Sequence, residues 1–444
     1  MKKFGFLVMS LVLCSSLFGV DEFKAILKGH AILPAYSLIG VPNDAPELLR
    51  SNGKFARKVR DERFGVIEGD SNGRPTGVFY PFPGQPVQGH SGIVNLGDSR
   101  FAILTDNGLG NKANSKDIAL FYNIYKIDFK NGKFDREKTV FLKDPNKKVP
   151  FLIVNESTNE RYLTGGDFDP ESIQFVGDFV YIGDEFGPYI LKADKNGNIV
   201  EIFETLVDGK IVKSPDNPTL KLPDSPSDDM PKFEVTRSKG FEGMAVSPDG
   251  KKLYPLLEGA LFDHKSGKKE NVNGKSYLRI LEFDTSKDEF TGKSWKFVLE
   301  DNSHAIGDFN MIDDKYGLII ERDNTEGTKD KACKHGKDTK FCFADAANFK
   351  RVYKVKLSDN GLAEKIAYID LMNINDPDNI SKKPLVDGKF VFPFFTIEDV
   401  DIVDENHIVV GNDNNFPKSS SREPNKADDN ELILLEVGKF LKAK

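Results

Sequence analysis

Asp169-Pro170-Glu171-Ser172-Ile173 and, one hairpin later, Gly183-Asp184-Glu185-Phe186-Gly187 are the stretch that decides the fold. Between them lie two short apolar runs, Ile173 to Val176 and Phe179 to Ile182, separated by a Gly177-Asp178 turn. The length fits two antiparallel strands and a tight turn, so the carboxylates at the two ends of the unit meet at one end of a hairpin. Four further copies follow the same plan. They run from Gly89-His90-Ser91-Gly92 to Thr105-Asp106-Asn107-Gly108, and from Gly240-Phe241-Glu242-Gly243-Met244 to Leu257-Glu258-Gly259. The last two run from Gly307-Asp308-Phe309-Asn310 to Glu321-Arg322-Asp323-Asn324, and from Ile397-Glu398-Asp399-Val400 to Gly411-Asn412-Asp413-Asn414.

Each copy is followed by a second pair of strand signals. Tyr122 to Phe129 and Thr139 to Leu142 flank an Asn131-Gly132 turn; Tyr189 to Ala193 and Ile199 to Phe203 flank Asn196-Gly197. Helical periodicity is scarce. The pattern predicts an all-β chain: a β-propeller of about five to six four-stranded blades with long inter-strand loops. The units start near residues 90, 171, 242, 308 and 398, so each repeat is about 66 to 90 residues long, well beyond a compact blade of about 40–45. The excess falls in polar loops, 209–233 and 324–349. The fifth unit has one clear strand after it, Leu432 to Val437. Phe23 to Leu27 or Ala31 to Leu33 is expected to complete that blade and close the ring. A degraded sixth blade is possible over 36–80. The competing architecture is a β-sandwich or a pair of β-domains.

The formal net charge is −7, which disfavours nucleic acid and anionic membrane surfaces as partners. Phe outnumbers Trp 35 to 1, which points to Phe-based packing between sheets. Residues 1–19 read as a cleaved secretory signal peptide: Lys2 and Lys3, an apolar run from Phe4 to Leu13 too short to span a bilayer, then small residues. Leu11-Val12-Leu13-Cys14 resembles a lipoprotein box, but Leu13 is large where a small residue is wanted, so a lipid anchor is disfavoured. The expected location is periplasmic or secreted. Cys333 and Cys342 lie nine apart in a polar segment and are expected to pair in an oxidising compartment. With only His335 near them, zinc is disfavoured.

In its Asp169-Pro170-Glu171-Ser172-Ile173, Gly183-Asp184-Glu185-Phe186-Gly187-Pro188, Gly240-Phe241-Glu242-Gly243-Met244-Ala245, Ile320-Glu321-Arg322-Asp323-Asn324 and Asn412-Asp413-Asn414 phrases, the chain resembles the phytase-like family, named for an esterase-like activity of phytase. The resemblance covers roughly 85–420, within a domain read as 20–444. It implies an exported propeller-like protein with clustered Glu and Asp and a metal-dependent phosphoester or phosphodiester hydrolase activity on a small phosphorylated substrate. A monomer is expected.

The residues themselves suit such chemistry. Phosphoester hydrolysis needs neutralised phosphoryl oxygens and an activated water, and clustered divalent ions held by carboxylates supply both. The donor set is oxygen-rich and histidine-poor, which favours Ca²⁺, with Mg²⁺ possible, over Zn²⁺. Candidate ligands are Glu171, Asp184, Glu185, Glu242, Glu258, Asp308, Glu321, Asp323, Glu398 and Asp413. Arg322, Glu242 and Asp323 are the candidate catalytic residues, Arg322 as a bidentate phosphate grip. Alternation along a strand sets a conflict: either Glu321 and Asp323 face the pore or Arg322 does, unless a bulge intervenes.

Three other readings compete. The acids can be structural, accepting backbone N–H bonds in a non-catalytic, metal-stabilised propeller that binds a ligand or an envelope protein. A lactonase-like metal propeller would act on carboxylic esters. Serine hydrolase chemistry is disfavoured, because His90 and Ser91 are strand neighbours and point to opposite faces, and no nucleophile-elbow sequence is present. His304 reads as a loop hydrogen-bonder. Asp194 to Asn198 and Asp70 to Gly73 look faintly like calcium loops but read as ordinary turns.

Overall fold

The computed structural model describes residues 19–57, 59–221, 223, 225, 231–334 and 339–444, so the leader expected over 1–19 lies, but for Gly19, outside the described residues. The chain forms a five-bladed β-propeller. Outward from the axis, blade 1 is His90–Gly97, Arg100–Thr105, Phe121–Asp128 and Lys133–Phe141; blade 2 is Pro170–Val176, Phe179–Asp184, Tyr189–Asp194 and Ile199–Glu204. Blade 3 is Phe241–Val246, Lys252–Leu257, Lys275–Asp284 and Glu289–Val298; blade 4 is Ala305–Met311, Tyr316–Arg322, Lys350–Leu357 and Ala363–Asp370. Blade 5 is Asp399–Ile402, His407–Gly411, Asn430–Glu436 and, outermost, Ile26–Leu33.

The N-terminal strand therefore closes the ring, antiparallel to the C-terminal one from Ile26 opposite Glu436 to Leu33 opposite Asn430. Closure removes the free edges an open sheet of this size would expose. Asp21–Phe23 continues outward onto blade 4, pairing in parallel with Ala367 to Ile369. The segment 36–80 is not a sixth blade. It forms a hairpin, Ile67–Ser71 with Arg74–Tyr80, and a short pairing of Leu38–Ile39 with Gln85–Pro86. Its own small core, including Tyr80 and Phe82, packs on Phe416.

Five apolar cores fill the five spaces between neighbouring blades. The core between blades 2 and 3, for example, joins Tyr181 and Ile190 to Met244, Leu253 and Phe283. This explains the sequence pattern. Inner strands are covered on both faces and read as unbroken apolar runs, whereas the outermost strand Lys133–Phe141 is largely exposed.

A polar plug crosses the axis. Gln174 of blade 2 donates through Nε2 to Asn310 Oδ1 of blade 4 at 2.7 Å and to the Met244 carbonyl of blade 3 at 2.7 Å. Asn310 Nδ2 donates to the Val400 carbonyl of blade 5 at 2.7 Å and reaches the Ile93 carbonyl of blade 1 at 3.4 Å. Two side-chain amides thus touch all five inner strands. Replacing Gln174 with leucine would strand two buried acceptors, at a cost of about 2–3 kcal/mol. The expected result is a lower urea midpoint at unchanged slope; an unshifted midpoint would show that the plug is dispensable.

Candidate functional site

The inner strands begin at one end of the axis, and there the acids collect. In blades 2 and 3 the inner strand carries a bulge at its first turn, with Glu171 unpaired between Pro170 and Ser172, and Glu242 unpaired between Phe241 and Gly243. A bulge re-aims its side chain, here from the inter-blade core to the axis. Small residues follow because neighbouring strands converge: a Cβ on Gly243 would lie 2.8 Å from the Phe309 nitrogen of blade 4. Glu398 occupies the corresponding place just before the blade 5 strand, its N–H donating to the Gly411 carbonyl. At the far end of each hairpin, Asp106, Glu185, Glu258 and Asp413 turn toward the same space.

The result is a cavity of about 210 Å³ lined by eight carboxylates, Asp106, Asp169, Glu171, Glu185, Glu242, Glu258, Glu398 and Asp413, against two cations, Lys239 and Arg322. Two triads have ligand oxygens within 4.8 Å of one another: Asp169, Glu171 and Glu185, and Glu185, Glu242 and Glu258. Burial, and then the charge of the other acids, pushes the carboxyls of Asp169, Glu171, Glu185, Glu242 and Asp413 well above their ordinary range. Asp106 is pushed up to about 6 for the same reasons. Burial opposes the charge on Lys239, but the Glu258 and Glu185 carboxylates hold its ammonium well above the lysine range. Glu185 is 4% and Glu242 5% exposed, yet Glu185 Oε1 and Glu242 Oε1 have no hydrogen-bond donor.

Arg322 resolves the strand conflict in its own favour. Its Nη2 donates to Glu398 Oε1 at 3.2 Å, its Nη1 to Asn324 Oδ1 at 3.0 Å, and the guanidinium lies 5.6 Å from the centre of the Phe395 ring. Its neighbours turn away. Glu321 accepts from the Glu300 N–H at 2.7 Å and from Lys365 Nζ at 2.7 Å, with His304 Nδ1 2.8 Å away. Asp323 is held by Lys350 at 2.9 Å and accepts the Asn348 and Phe349 N–H groups.

Of the ten expected ligands, the cavity thus brings together Glu171, Glu185, Glu242, Glu258, Glu398 and Asp413. It does not include Asp184, Asp308, Glu321 or Asp323. Asp184 accepts the N–H groups of Asp169 and Gly187, and Asp308 those of Phe309 and Val400 together with the Asn310 amide, so the oxygens of both are already taken. Of the expected catalytic residues, Arg322 and Glu242 line the cavity and Asp323 does not. Asp106, Asp169 and Lys239 were not among the expected site residues. Asp106 and Asp169 stood inside the repeated units and were legible as hairpin ends; nothing in the sequence marked Lys239.

Ser91 donates to Glu398 Oε2 at 3.0 Å, while His90 is buried beside the Tyr125 and Phe134 rings, so the two do not form a base–nucleophile pair. Asp194 and Asp70 close their own turns onto Asn196, Asn198 and Gly73 N–H groups, as ordinary turns do. Cys333 and Cys342 form a disulfide. Among the described residues, no helix is long and apolar enough to cross a membrane.

The residues present fit a hard divalent cation. All the charged donors are carboxylates, they outnumber the cations eight to two, and two of their buried oxygens lack a partner. Fold and site together define a five-bladed propeller with an acidic cavity at one mouth. The phytase-like family, described as having the esterase-like activity of phytase, matches residues 85–416, and the chain belongs to it. An uncharacterized secreted protein of Arthroderma benhamiae is 31% identical over 126 residues, which are 27% of this chain and 24% of that protein. The match thus spans about a quarter of that relative's length. Among solved structures, a luciferin-regenerating enzyme is similar over 78% of this chain and 77% of its own, at 8% identity and a TM-score of 0.33. A putative 6-phosphogluconolactonase of Bacteroides uniformis is similar over 77% of this chain and 68% of its own, at 13% identity and a TM-score of 0.31. With TM-scores this low, neither bears on the chemistry.

Proposed function

We propose that this protein is an exported phosphoric-ester hydrolase that works with a divalent cation, calcium first and magnesium as the alternative, held in the acidic cavity. The observation that carries the reading is the pair of buried oxygens without a donor, Glu185 Oε1 and Glu242 Oε1, in a cavity where acids outnumber cations eight to two. Asp169, Glu171 and Glu185 would hold the cation, with Glu242 and Glu258 in the adjoining triad that shares Glu185. When bound, such a cation neutralises phosphoryl oxygens and makes water a better nucleophile near neutral pH. Arg322 orients the ester: its fork exchanges Glu398 for two phosphoryl oxygens, and Phe395 keeps its plane fixed. The small cavity suits a phosphoryl head group rather than a large substrate. Family membership supports a phosphoric ester as the substrate class. The disulfide and the secreted relative support export.

The test is to strip the protein with chelator and titrate calcium while following hydrolysis of a chromogenic phosphodiester, a phosphomonoester and a carboxylic ester. Calcium-dependent release from a phosphate ester is expected, and the two phosphate substrates sort mono- from diesterase. Calcium-dependent stability without turnover on any substrate would instead establish a non-catalytic, metal-stabilised binding propeller. Arg322→Ala is expected to lower kcat/KM by about 10²-fold or more. Arg322→Lys should recover little of it, because an ammonium lacks the planar fork. Equal activity of the alanine variant and wild type would remove Arg322 from the mechanism.

A further inference from the structure

The two carboxylate triads share Glu185 but differ in what balances them. Among the described residues, no lysine or arginine forms an ion pair with Asp169, Glu171 or Glu185 in the first triad. In the second triad, Lys239 Nζ is in direct contact with Glu258 Oε2. The backbone fixes that meeting. Gly259 N–H donates to the Lys239 carbonyl at 3.0 Å and Glu258 N–H to the Gly240 carbonyl at 2.8 Å, so Lys239 and Glu258 leave paired strands side by side. Arg322 is committed to Glu398. Glu185 Oε1, in a side chain 4% exposed, lacks any donor.

From this geometry we infer that the cavity binds a single divalent cation, in the Asp169–Glu171–Glu185 triad, and that the Lys239 ammonium fills the second triad as a tethered cation. This rests on the metal-dependent reading above and specifies its stoichiometry. A two-metal site would need two divalent ions about 3.5–4 Å apart, bridged by a shared carboxylate such as Glu185. An ammonium in the second position supplies one charge and three N–H donors. A phosphoryl group would then meet one metal, one lysine and one arginine.

The experiment counts calcium bound to the chelator-stripped protein by titration calorimetry, with bound metal measured independently after dialysis. Wild type is expected to bind one calcium per chain. Lys239→Met should bind two, because it empties the second triad of its cation, and Lys239→Arg should stay at one. The Lys239 side chain is 41% exposed, so its loss costs little packing. Two calcium ions in wild type overturn the inference, and so does a folded Lys239→Met variant that still binds one. Should that variant fail to fold, the wild-type count decides alone. No calcium bound in wild type would instead overturn the metal-dependent reading itself.

Discussion

Glu242→Lys is expected to abolish calcium binding and to cut phosphate-ester turnover by about 10³-fold or more, while the metal-free variant becomes more stable than metal-free wild type. The opposite signs follow from one cause. Glu242 stands 5% exposed among Glu398, Glu258 and Glu185, and burial plus those charges disfavours its ionised form. Without metal, the cluster either repels itself or holds protons it would otherwise release. A lysine there neutralises the acids and adds a second ammonium beside Glu185, the carboxylate the two triads share, so the stabilisation is permanent and a divalent ion in the first triad is repelled. Wild type at calcium a thousandfold above Kd should gain about 4 kcal/mol from binding, and the variant none. The loss of turnover follows from losing a cation that contributes several kcal/mol to the transition state. Melting curves with and without calcium, beside a rate assay, test both halves. Undiminished turnover, or a full calcium-dependent stabilisation in the variant, would show that the charge at Glu242 does not govern the metal site.

Deleting residues through Leu33 is expected to leave no cooperatively folded monomer. Ile26–Leu33 is the outermost strand of blade 5, and removing it bares the whole edge of Asn430–Glu436. Leu27 and Ala31, both fully buried, leave two different inter-blade cores. Truncating Leu27 to alanine alone would cost about 2–5 kcal/mol. His30 goes as well. Its Nδ1 accepts the Lys382 N–H at 3.1 Å, so its Nε2 bears the proton and donates to buried Glu431 at 3.0 Å. Together these losses match or exceed the about 5–15 kcal/mol by which such domains are stable. A chain starting at Lys24 forfeits the short parallel pairing of Asp21–Phe23, the Phe23 contact with the Phe440 ring and the Tyr368 hydrogen bond to Glu22, all at the outer edge of blade 4, and should still melt cooperatively. Circular dichroism and size-exclusion chromatography compare the two, and a cooperative melt of the longer deletion at the wild-type temperature would refute the closure argument.

The hairpin plan was legible because inner strands are buried on both faces, so that runs such as Phe179 to Ile182 stand out against the polar turns. Ring closure was legible because blade 5 lacked an outer strand and the N-terminus supplied one. The segment 36–80 was harder to read, since two short hairpins leave the same sparse alternation as a worn blade. Within the site, strand alternation gave the choice at Glu321-Arg322-Asp323 but not its answer. That answer depends on Lys365 and Lys350, which come from elsewhere in blade 4 and draw the two acids aside. Asp184 and Asp308 looked like their neighbours in sequence and differ in the backbone N–H groups that reach them, joined at Asp308 by the Asn310 amide. Lys239 was invisible, because a lysine before Gly240 has no meaning until Glu258 is placed beside it.

The amide plug makes the cavity a cul-de-sac. Gln174 lies three residues beyond Glu171 on the same strand, about 10 Å deeper, and with Asn310 it ties the five inner strands together across the axis. Whatever enters at the acidic mouth leaves by the same doorway. A polymer cannot thread along the axis past the plug. For the hydrolase proposed above, released anion and incoming ester would share one passage, and inhibition by the freed product is the expected consequence of the ring's shape.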